Sequence, residues 1–242
     1  MSYAIQWLRS LIFIGQMYVA MLVVGVLYFP AAIVSRHGAI AGCHAYVRYV
    51  RWSSSWMIGL KWEIRGTPPT DEVMVAAKHQ SFMDVLAIYG AIPRGKFIMK
   101  AILKYAPIIG QFGLRIGCIP VNRGKRGAAI KKMLEDVKAG RALPGQLIIY
   151  PQGTRIAPGV KAKYKIGTGL LYRELGQPVV PVATNAGLFW PKRGIYRKPG
   201  TAVFEFLPQI EPGLEVDLFM AKLEDEIETA CNRLNAEAGF NG

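Results

Sequence analysis

A long uncharged segment opens the chain, and its pattern differs from everything that follows. Between Arg9 and Arg36 lie 26 residues without a charged side chain, and Leu11–Val34 contains Gln16 as its only strongly polar residue. At about 1.5 Å per residue, a helix of this length can cross a hydrocarbon core of about 30 Å. The run is too long for the apolar part of a cleaved signal peptide. It predicts a membrane-associated helix that either spans the bilayer or dips into it.

A second segment, Ala39–Leu60, mixes aromatic and aliphatic side chains with arginines. Trp52, Trp56 and Arg51 are typical of a helix that lies at the membrane interface, where amphipathic rings and basic groups meet lipid headgroups. The sequence therefore predicts a two-helix membrane anchor over residues 1–60.

Arginines are more numerous after the uncharged segment than before it. Arg36, Arg48 and Arg51 follow it, whereas Arg9 alone precedes it. Because basic residues favour the cytoplasmic side, we expect the residues after the uncharged segment to lie on the cytoplasmic face of the membrane.

From Lys61 onward, short β-branched runs alternate with helical stretches. The predicted strands are Lys61–Ile64, Val73–Ala77, Lys96–Met99, Cys118–Val121, Gln146–Tyr150, Val179–Ala183 and Thr201–Phe206. The predicted helices are Met83–Tyr89, Pro107–Leu114, Gly127–Lys138, Gly167–Leu175 and Val216–Leu234. This alternation predicts an α/β fold over residues 61–242, with a mixed, largely parallel sheet flanked by helices.

Polar motifs follow three of the predicted strands. His79 follows the second strand, Arg123 the fourth, and the run Tyr150–Arg155 begins at the end of the fifth. Ligands of such sheets usually bind at the loops that leave the carboxyl ends of the strands. We therefore expect these three loops to converge on one cleft.

His79 and Asp84 are the candidate catalytic residues. Five residues of a regular helix rotate by about 500°, so the two side chains meet only if the chain turns between them. Ser81, a favourable N-cap three residues before Asp84, predicts that turn. Asp84 then orients one ring nitrogen, and the other is free to take a proton from a substrate hydroxyl. The alternative is a capping box that serves structure alone.

A candidate anion site lies in the later motifs. Gly153 lets the backbone approach a ligand closely, and Thr154 and Arg155 add a hydroxyl and a guanidinium. Arg123 offers a second guanidinium, and Lys100 at the end of the third predicted strand is either a further cleft cation or a solvated surface residue.

The charge distribution points to an anionic partner. The net charge is +14, and residues 85–204 carry twenty-one Lys and Arg against three acids, whereas residues 205–242 are acidic. No zinc spacing, aromatic ribonucleoprotein motif or helix-turn-helix pattern favours nucleic acid. Anionic membrane phospholipid is the expected partner, and a merely solubilising basic surface is the alternative.

Metal and disulfide chemistry have no sequence signature here. The three cysteines are widely spaced without a CxxC motif, and His37 and His44 are too far apart on a helix to share a metal. We expect neither a metal site nor another cofactor.

The arrangement of motifs resembles the glycerophospholipid acyltransferase family, across roughly residues 60–190. His79–Asp84 is similar to its catalytic block, Gly117–Arg123 to its second, Tyr150–Arg155 to its third and Val180–Val182 to its fourth. The resemblance implies an enzyme that transfers a fatty acyl group from acyl carrier protein or coenzyme A to the hydroxyl of lysophosphatidate, giving phosphatidate. It also implies that the arginines and the Gly-Thr-Arg turn hold the acceptor phosphate.

One residue departs from the family pattern. The third block usually has Glu where this chain has Gln152, which we expect to be a substrate-binding residue as well. An amide forms hydrogen bonds but carries no charge. Two alternatives therefore stay open: transfer to another lysolipid, either an aminolipid or a different lysophospholipid, and a basic membrane-binding protein of the same fold without catalysis.

Overall fold

Two long helices begin the chain, and alternating strands and shorter helices follow. The computed structural model describes residues 2–121, 131 and 144–240. The helices described are α1 (Tyr3–Val34), α2 (Arg36–Met57), α3 (Met83–Ala91), α4 (Ile109–Arg115), α5 (Gly167–Leu175) and α6 (Val216–Glu237), with 3₁₀ turns at Ala101–Tyr105 and Ala186–Leu188. The strands are β1 (Leu60–Arg65), β2 (Met74–Ala77), β3 (Lys96–Lys100), β4 (Ile119–Val121), β5 (Leu147–Ile149), β6 (Val179–Thr184) and β7 (Gly200–Phe206).

The strands of the described ranges form one sheet in the order β1-β7-β6-β2-β5-β3-β4. The five strands from β6 to β4 are parallel, β1 is parallel to β7, and β6 and β7 are antiparallel. The predicted mixed, largely parallel sheet is therefore confirmed. Each predicted strand matches an observed one to within one residue at either end.

The central strands carry continuous apolar runs because helices cover both faces of the sheet. Successive residues of β2 alternate between two cores: Val75 and Ala77 join the core with α1, α2 and α3, and Met74 and Ala76 join the core with α5 and α6. Every residue of β2 and β6 is buried. This burial fixes the carboxyl ends of two adjacent parallel strands side by side, which is where the motif loops begin.

The predicted helices of the α/β part agree with the structure where it describes them. α5 has the predicted bounds, α3 and α6 begin at the predicted residues, and α4 lies within two residues of its prediction. The predicted helix Gly127–Lys138 falls outside the described residues except for Lys131, and Arg123 lies outside them as well.

The first half of α1 is attached to the α/β part by polar and aromatic contacts. The side-chain amide of Gln6 donates to the carbonyl of Arg197 at 2.8 Å, and the backbone N–H of Arg197 donates to the hydroxyl of Ser10 at 2.9 Å. The ring of Phe13, fully buried, meets Trp190 edge-on with 5.6 Å between centroids.

The second half of α1 contacts the segment around α4. Arg115 donates to the carbonyls of Ala32 and Ile33, both at 2.6 Å. Gly25 lies directly against the side chain of Ile108, since a Cβ on this glycine would come within 2.6 Å of it. α1 is thus packed against the protein along most of its length.

Of the described helices, only α1 is long and apolar enough to cross a membrane, with a mean hydropathy of 2.2 and about a fifth of its most apolar window buried. α2 instead packs against α1 on one side and α3, α4 and β1 on the other, with Trp52 and Trp56 exposed. The two-helix anchor expected from the sequence therefore reduces to one apolar helix of membrane-spanning length.

Candidate active site

Three loops leave the carboxyl ends of adjacent parallel strands. His79 lies two residues beyond β2, Tyr150 directly follows β5, and Asn185 directly follows β6. Because these strands are parallel neighbours, their loops emerge at one edge of the sheet. Two of the three motif loops expected to meet are therefore adjacent, and the third carries Arg123 outside the described residues.

His79 and Asp84 form a hydrogen-bonded pair. The Nδ1 atom of His79 lies 3.1 Å from Oδ2 of Asp84, and the Asp84 side chain is fully buried. The same oxygen accepts the backbone N–H groups of Gln80 at 2.6 Å and Ser81 at 2.7 Å. Three groups thus converge on one carboxylate oxygen, which fixes the position of the Asp84 side chain.

The turn between the two residues is the one expected from the sequence. The hydroxyl of Ser81 accepts the backbone N–H of Met83 at 3.1 Å, at the first turn of α3. Asp84 accepts the backbone N–H of Ser81 in return, so these two side chains fix the turn that leads into α3, whose N-cap is Phe82, one residue later than expected. This turn and the His79 pair use the same carboxylate oxygen.

The pairing leaves the second ring nitrogen of His79 available. A carboxylate at Nδ1 favours the tautomer with its hydrogen on that atom, so Nε2 carries the free lone pair. The His79 side chain is 17% exposed, which leaves an opening for a ligand. This arrangement suits a general base for a hydroxyl group.

The ring of Tyr150 lies directly against the imidazole of His79. The two rings stack with 4.0 Å between centroids and an interplanar angle of 21°. Burial, with a further contribution from the charge of Asp84, raises the pKa of Tyr150 well above its ordinary value. Tyr150 therefore stays neutral and restricts the motion of the imidazole.

The Gly-Thr-Arg turn is fastened to the His79 loop. Gly153 has a φ of +69°, a conformation that favours glycine, and its N–H donates to the carbonyl of Tyr150 at 2.8 Å. The N–H of Ile156 donates to the carbonyl of His79 at 2.8 Å. Gly153 and Thr154 are exposed and Arg155 is half-buried. The structure therefore brings the turn next to the candidate base.

Gln152 differs from its neighbours because it is buried. It is 4% exposed, its amide nitrogen donates to the carbonyl of Ala162 at 3.3 Å, and its oxygen has no hydrogen-bond partner among the described residues. Lys100 ends β3 at the same edge of the sheet with an exposed side chain.

Two buried residues beside His79 were missed by the sequence reasoning. The ammonium group of Lys78, 3% exposed, contacts both carboxylate oxygens of Glu228 at 2.5 and 2.7 Å. The amide oxygen of Gln80 accepts the N–H of Gly187 at 2.9 Å, which connects the His79 loop to the loop after β6. In the sequence, the only sign of these contacts is the run of polar residues around His79, because Glu228 and Gly187 lie more than 100 residues away from Lys78 and Gln80.

A lysine far along the chain also reaches the turn. The ammonium group of Lys192 donates to the carbonyl of Arg155 at 2.9 Å and lies 3.4 Å from the hydroxyl of Thr154. Lys192 has no motif around it that indicates this position.

Groupings suited to a metal ion are absent from the described ranges, since no three His, Cys, Asp or Glu side chains cluster there. The three cysteines are free thiols, and the sulfur atoms of the buried Cys118 and Cys231 accept the backbone N–H groups of Phe97 and Thr184.

The comparison with protein families agrees with this geometry. The family described as Acyltransferase matches residues 62–185, just over half of the chain. The chain belongs to the Acyltransferase family. The match runs from β1 to the loop after β6 and therefore contains the His79–Asp84 pair, the Gly-Thr-Arg turn and the buried β6 segment Val180–Val182.

Curated relatives carry more specific names. A Pseudomonas aeruginosa protein named 1-acyl-sn-glycerol-3-phosphate acyltransferase is 27% identical over 79% of this chain and 76% of its own length. A mouse protein named 1-acyl-sn-glycerol-3-phosphate acyltransferase alpha is 26% identical over 68% of this chain and 60% of its own. The crystal structure of the 1-acyl-sn-glycerophosphate acyltransferase of Thermotoga maritima covers 95% of both chains with a TM-score of 0.79 at 19% identity, which shows a shared fold.

Proposed function

We propose that this family member transfers a fatty acyl group to the free hydroxyl of lysophosphatidate and thereby makes phosphatidate. The observation that carries the proposal is the pair of His79 and a fully buried Asp84, with the open Nε2 next to the Gly-Thr-Arg turn. The names of the relatives supply the acceptor and the reaction class.

The proposed chemistry needs no covalent enzyme intermediate. Nε2 of His79 takes the proton of the acceptor hydroxyl while the hydroxyl oxygen attacks the thioester carbonyl carbon. The new ester C–O bond forms, the C–S bond breaks, and the leaving thiolate takes the proton back from the imidazolium. Asp84 stabilises the imidazolium between these steps. The donor is acyl carrier protein or coenzyme A as its acyl thioester.

The local charges favour a phosphate on the acceptor. Among the residues described, no carboxylate lies within ion-pair distance of Arg155, which leaves its guanidinium for a ligand. We assign the phosphate to Gly153, Thr154 and Arg155, with Lys100 at the end of β3 as a further candidate. Arg123 is also a candidate, from its motif in the sequence. A phosphate at the turn positions the glycerol backbone toward His79.

Gln152 supports a second candidate acceptor. Its buried amide is neutral and its oxygen lacks a partner among the described residues. A neutral group here repels a negatively charged or zwitterionic headgroup less than Glu does. Transfer to a different lysophospholipid or to an aminolipid is therefore the second proposal.

The membrane contact is proposed from the exposed face of α1. Leu22, Leu27 and Val34 are 55%, 70% and 86% exposed, and Ile102 and Tyr105, in the 3₁₀ turn that packs against α4, are 69% and 72% exposed. Exposed apolar side chains along one helix are typical of membrane contact. Because α1 is packed on the protein along its length, we propose that it lies in the cytoplasmic leaflet of the inner membrane rather than across it.

Product analysis tests the reaction and the acceptor together. The purified enzyme is given a mixed pool of lysophosphatidate, lysophosphatidylethanolamine, lysophosphatidylglycerol and a lyso-aminolipid, with an isotope-labelled acyl donor supplied as the coenzyme A or the carrier-protein thioester. We expect labelled phosphatidate as the main product. A different main product would identify another lysolipid as the acceptor. The absence of a labelled product in every mixture would contradict acyl transfer.

The matched variant for this assay is His79→Ala. We expect it to lose nearly all turnover because the hydroxyl proton has no acceptor, while thermal unfolding stays close to wild type. Near-normal acyl transfer by His79→Ala would contradict the proposed base. Gln152→Glu in the same lysolipid pool shows whether the neutral amide widens acceptor choice, since the carboxylate should narrow the products.

A further inference from the structure

Two lysine ammonium groups lie beside the Gly-Thr-Arg turn, and neither belongs to the motif. Lys192 reaches it from the segment after the 3₁₀ turn at Ala186–Leu188, 37 residues beyond Arg155. Its ammonium donates to the carbonyl of Arg155 at 2.9 Å and lies 3.4 Å from Thr154 Oγ1. An ammonium group has three N–H donors, so at least one remains for a ligand.

Lys165 lies later in the loop that follows the Gly-Thr-Arg turn, and its side chain returns to Gly153 of that turn. A Cβ built on Gly153 would lie 2.7 Å from the Lys165 ammonium nitrogen. The backbone N–H of Lys165 donates to the carbonyl of Pro151 at 3.0 Å, which fixes the base of the lysine beside the turn. The positive φ of Gly153 favours glycine at this position, and the Lys165 side chain passes directly beside it.

These cations lack acidic partners in the part of the chain that the structure describes. Neither Lys165 nor Lys192 has a carboxylate oxygen within 4 Å there, and both side chains are exposed. Lys78, by contrast, is buried and paired with Glu228. Two ammonium groups and Arg155 at one turn raise the local positive potential, which favours an anion with more than one negative charge.

The turn is held close to the candidate base at both ends. The Tyr150 ring stacks on His79, and the N–H of Ile156 donates to the His79 carbonyl. An anion bound at this turn therefore lies on the loop that packs against His79. This position fits the headgroup of an acceptor whose hydroxyl must reach Nε2.

We propose that Lys165 and Lys192 bind the phosphate of the acceptor and select phosphomonoester lysolipids over phosphodiester ones. A phosphomonoester carries about −1.5 to −2 charges at neutral pH, whereas a phosphodiester carries about −1 and offers fewer free oxygens. Lysine acts on phosphate as a point charge with rotatable donors, so two lysines can follow the three terminal oxygens. This inference rests on the proposed acyl transfer and names the residues that decide its acceptor class.

The kinetic test compares Lys165→Ala, Lys192→Ala and the double variant with Lys161→Ala and Lys163→Ala. The two controls remove the same charge from exposed positions of the same loop, and no contact joins them to the turn among the described residues. Assays in zwitterionic detergent micelles avoid differences in vesicle binding. We expect each test variant to raise the KM for lysophosphatidate about tenfold with little change in kcat, and the controls to leave both unchanged.

Two further measurements separate recognition from structure. Lys192→Arg keeps the charge and should recover most of the affinity lost in Lys192→Ala. Binding to the inactive His79→Ala protein is measured by the shift in Tm with lysophosphatidate and with lysophosphatidylcholine. We expect a larger shift with lysophosphatidate, the phosphomonoester. This preference should disappear in the variant that carries His79→Ala, Lys165→Ala and Lys192→Ala together.

The outcomes are distinguishable. If wild-type enzyme acylates lysophosphatidate but the lysine variants behave like Lys163→Ala, the assignment of the lysines is wrong and the acyl transfer stands. If no monoester preference appears in binding, the inference is wrong whatever the turnover. If wild-type enzyme binds the monoester through the lysines yet acylates no lysolipid, the proposed reaction fails and the anion site stands.

Discussion

Asp84 performs two tasks with one oxygen atom. Oδ2 accepts from the backbone at the start of α3 and also from the imidazole of His79. The first task shapes the loop, and the second sets the tautomer of the ring. Substitutions at Asp84 and at Ser81 separate the two tasks, because Ser81 takes part in the cap but does not contact the ring.

We expect Asp84→Asn to lower kcat by about 10³- to 10⁴-fold with a small change in KM. An amide at this position favours the wrong tautomer and no longer stabilises the imidazolium. Steady-state kinetics with saturating acyl donor measure the loss, and circular dichroism checks that the helix persists.

Ser81→Ala is the control for this prediction. It removes the hydroxyl that accepts the Met83 N–H, so it should cost about 1 kcal/mol of stability while turnover falls only slightly. If Asp84→Asn and Ser81→Ala had equal effects on kcat, the carboxylate would be a cap and nothing more.

At the residue scale, the sequence predicted interactions that are short along the chain. The approach of His79 to Asp84 followed from helix geometry and a capping residue, both readable within six positions. Lys192 and Glu228 could not be predicted, because their contacts depend on how distant segments pack on the sheet and no local pattern encodes that. The sequence marks Gln152 as a departure from a motif and as a candidate substrate contact, whereas its burial depends on the fold.

At the scale of single elements, α1 combines features of a membrane helix and a core helix. Phe13 and Met17 are buried in the same core as β2, while Leu22 and Leu27 on other faces are more than half exposed. Buried polar side chains at Gln6 and Ser10 bind the α/β part. Hydropathy predicted the helix correctly but could not reveal its docking, since an apolar side chain suits lipid and protein core equally.

Substitutions on the two faces of α1 should therefore change different properties: the buried face the stability of the fold, and the exposed face the binding to lipid. We expect Phe13→Ala to destabilise the protein by about 3–5 kcal/mol, because it leaves a cavity against Trp190. Leu22→Asp should leave the unfolding transition nearly unchanged but weaken partition into lipid vesicles, because this side chain is 55% exposed.

Urea unfolding in detergent and vesicle sedimentation measure these two effects separately. If Leu22→Asp destabilised the fold as much as Phe13→Ala, the exposed face of α1 would be a protein contact. Equal vesicle binding by Leu22→Asp and wild type would argue against lipid contact at this face.

For the whole molecule, the alternation of apolar runs predicts the sheet and its flanking helices. The net charge of +14 predicts a surface that attracts anionic lipid. Strand order was beyond the sequence, including the antiparallel pairing of β6 with β7, because it depends on which edges meet after the helices pack. For the proposed membrane binding, we expect two independent contributions: an electrostatic one from the basic central region and a hydrophobic one from the apolar face of α1.

We expect the full chain to bind vesicles containing anionic phospholipid more tightly than vesicles of phosphatidylcholine alone. Raising NaCl from about 0.1 to 1 M should remove much of that difference, because the screening length falls from about 10 Å to about 3 Å. The residual binding at high salt should match that to phosphatidylcholine and should decrease in Leu22→Asp. Binding that did not depend on lipid charge would show that the basic residues face away from the membrane.

The contacts of α1 also have a consequence for biosynthesis. Ser10 is joined to Arg197, 187 residues later in the chain. At roughly 5–20 residues per second, a ribosome needs on the order of ten to forty seconds to make the intervening polypeptide. During that interval the nascent helix has no docking partner from the last part of the chain. With the membrane contact proposed above, we expect the bilayer to cover the apolar side chains of α1 during synthesis, before the α/β part has folded against them.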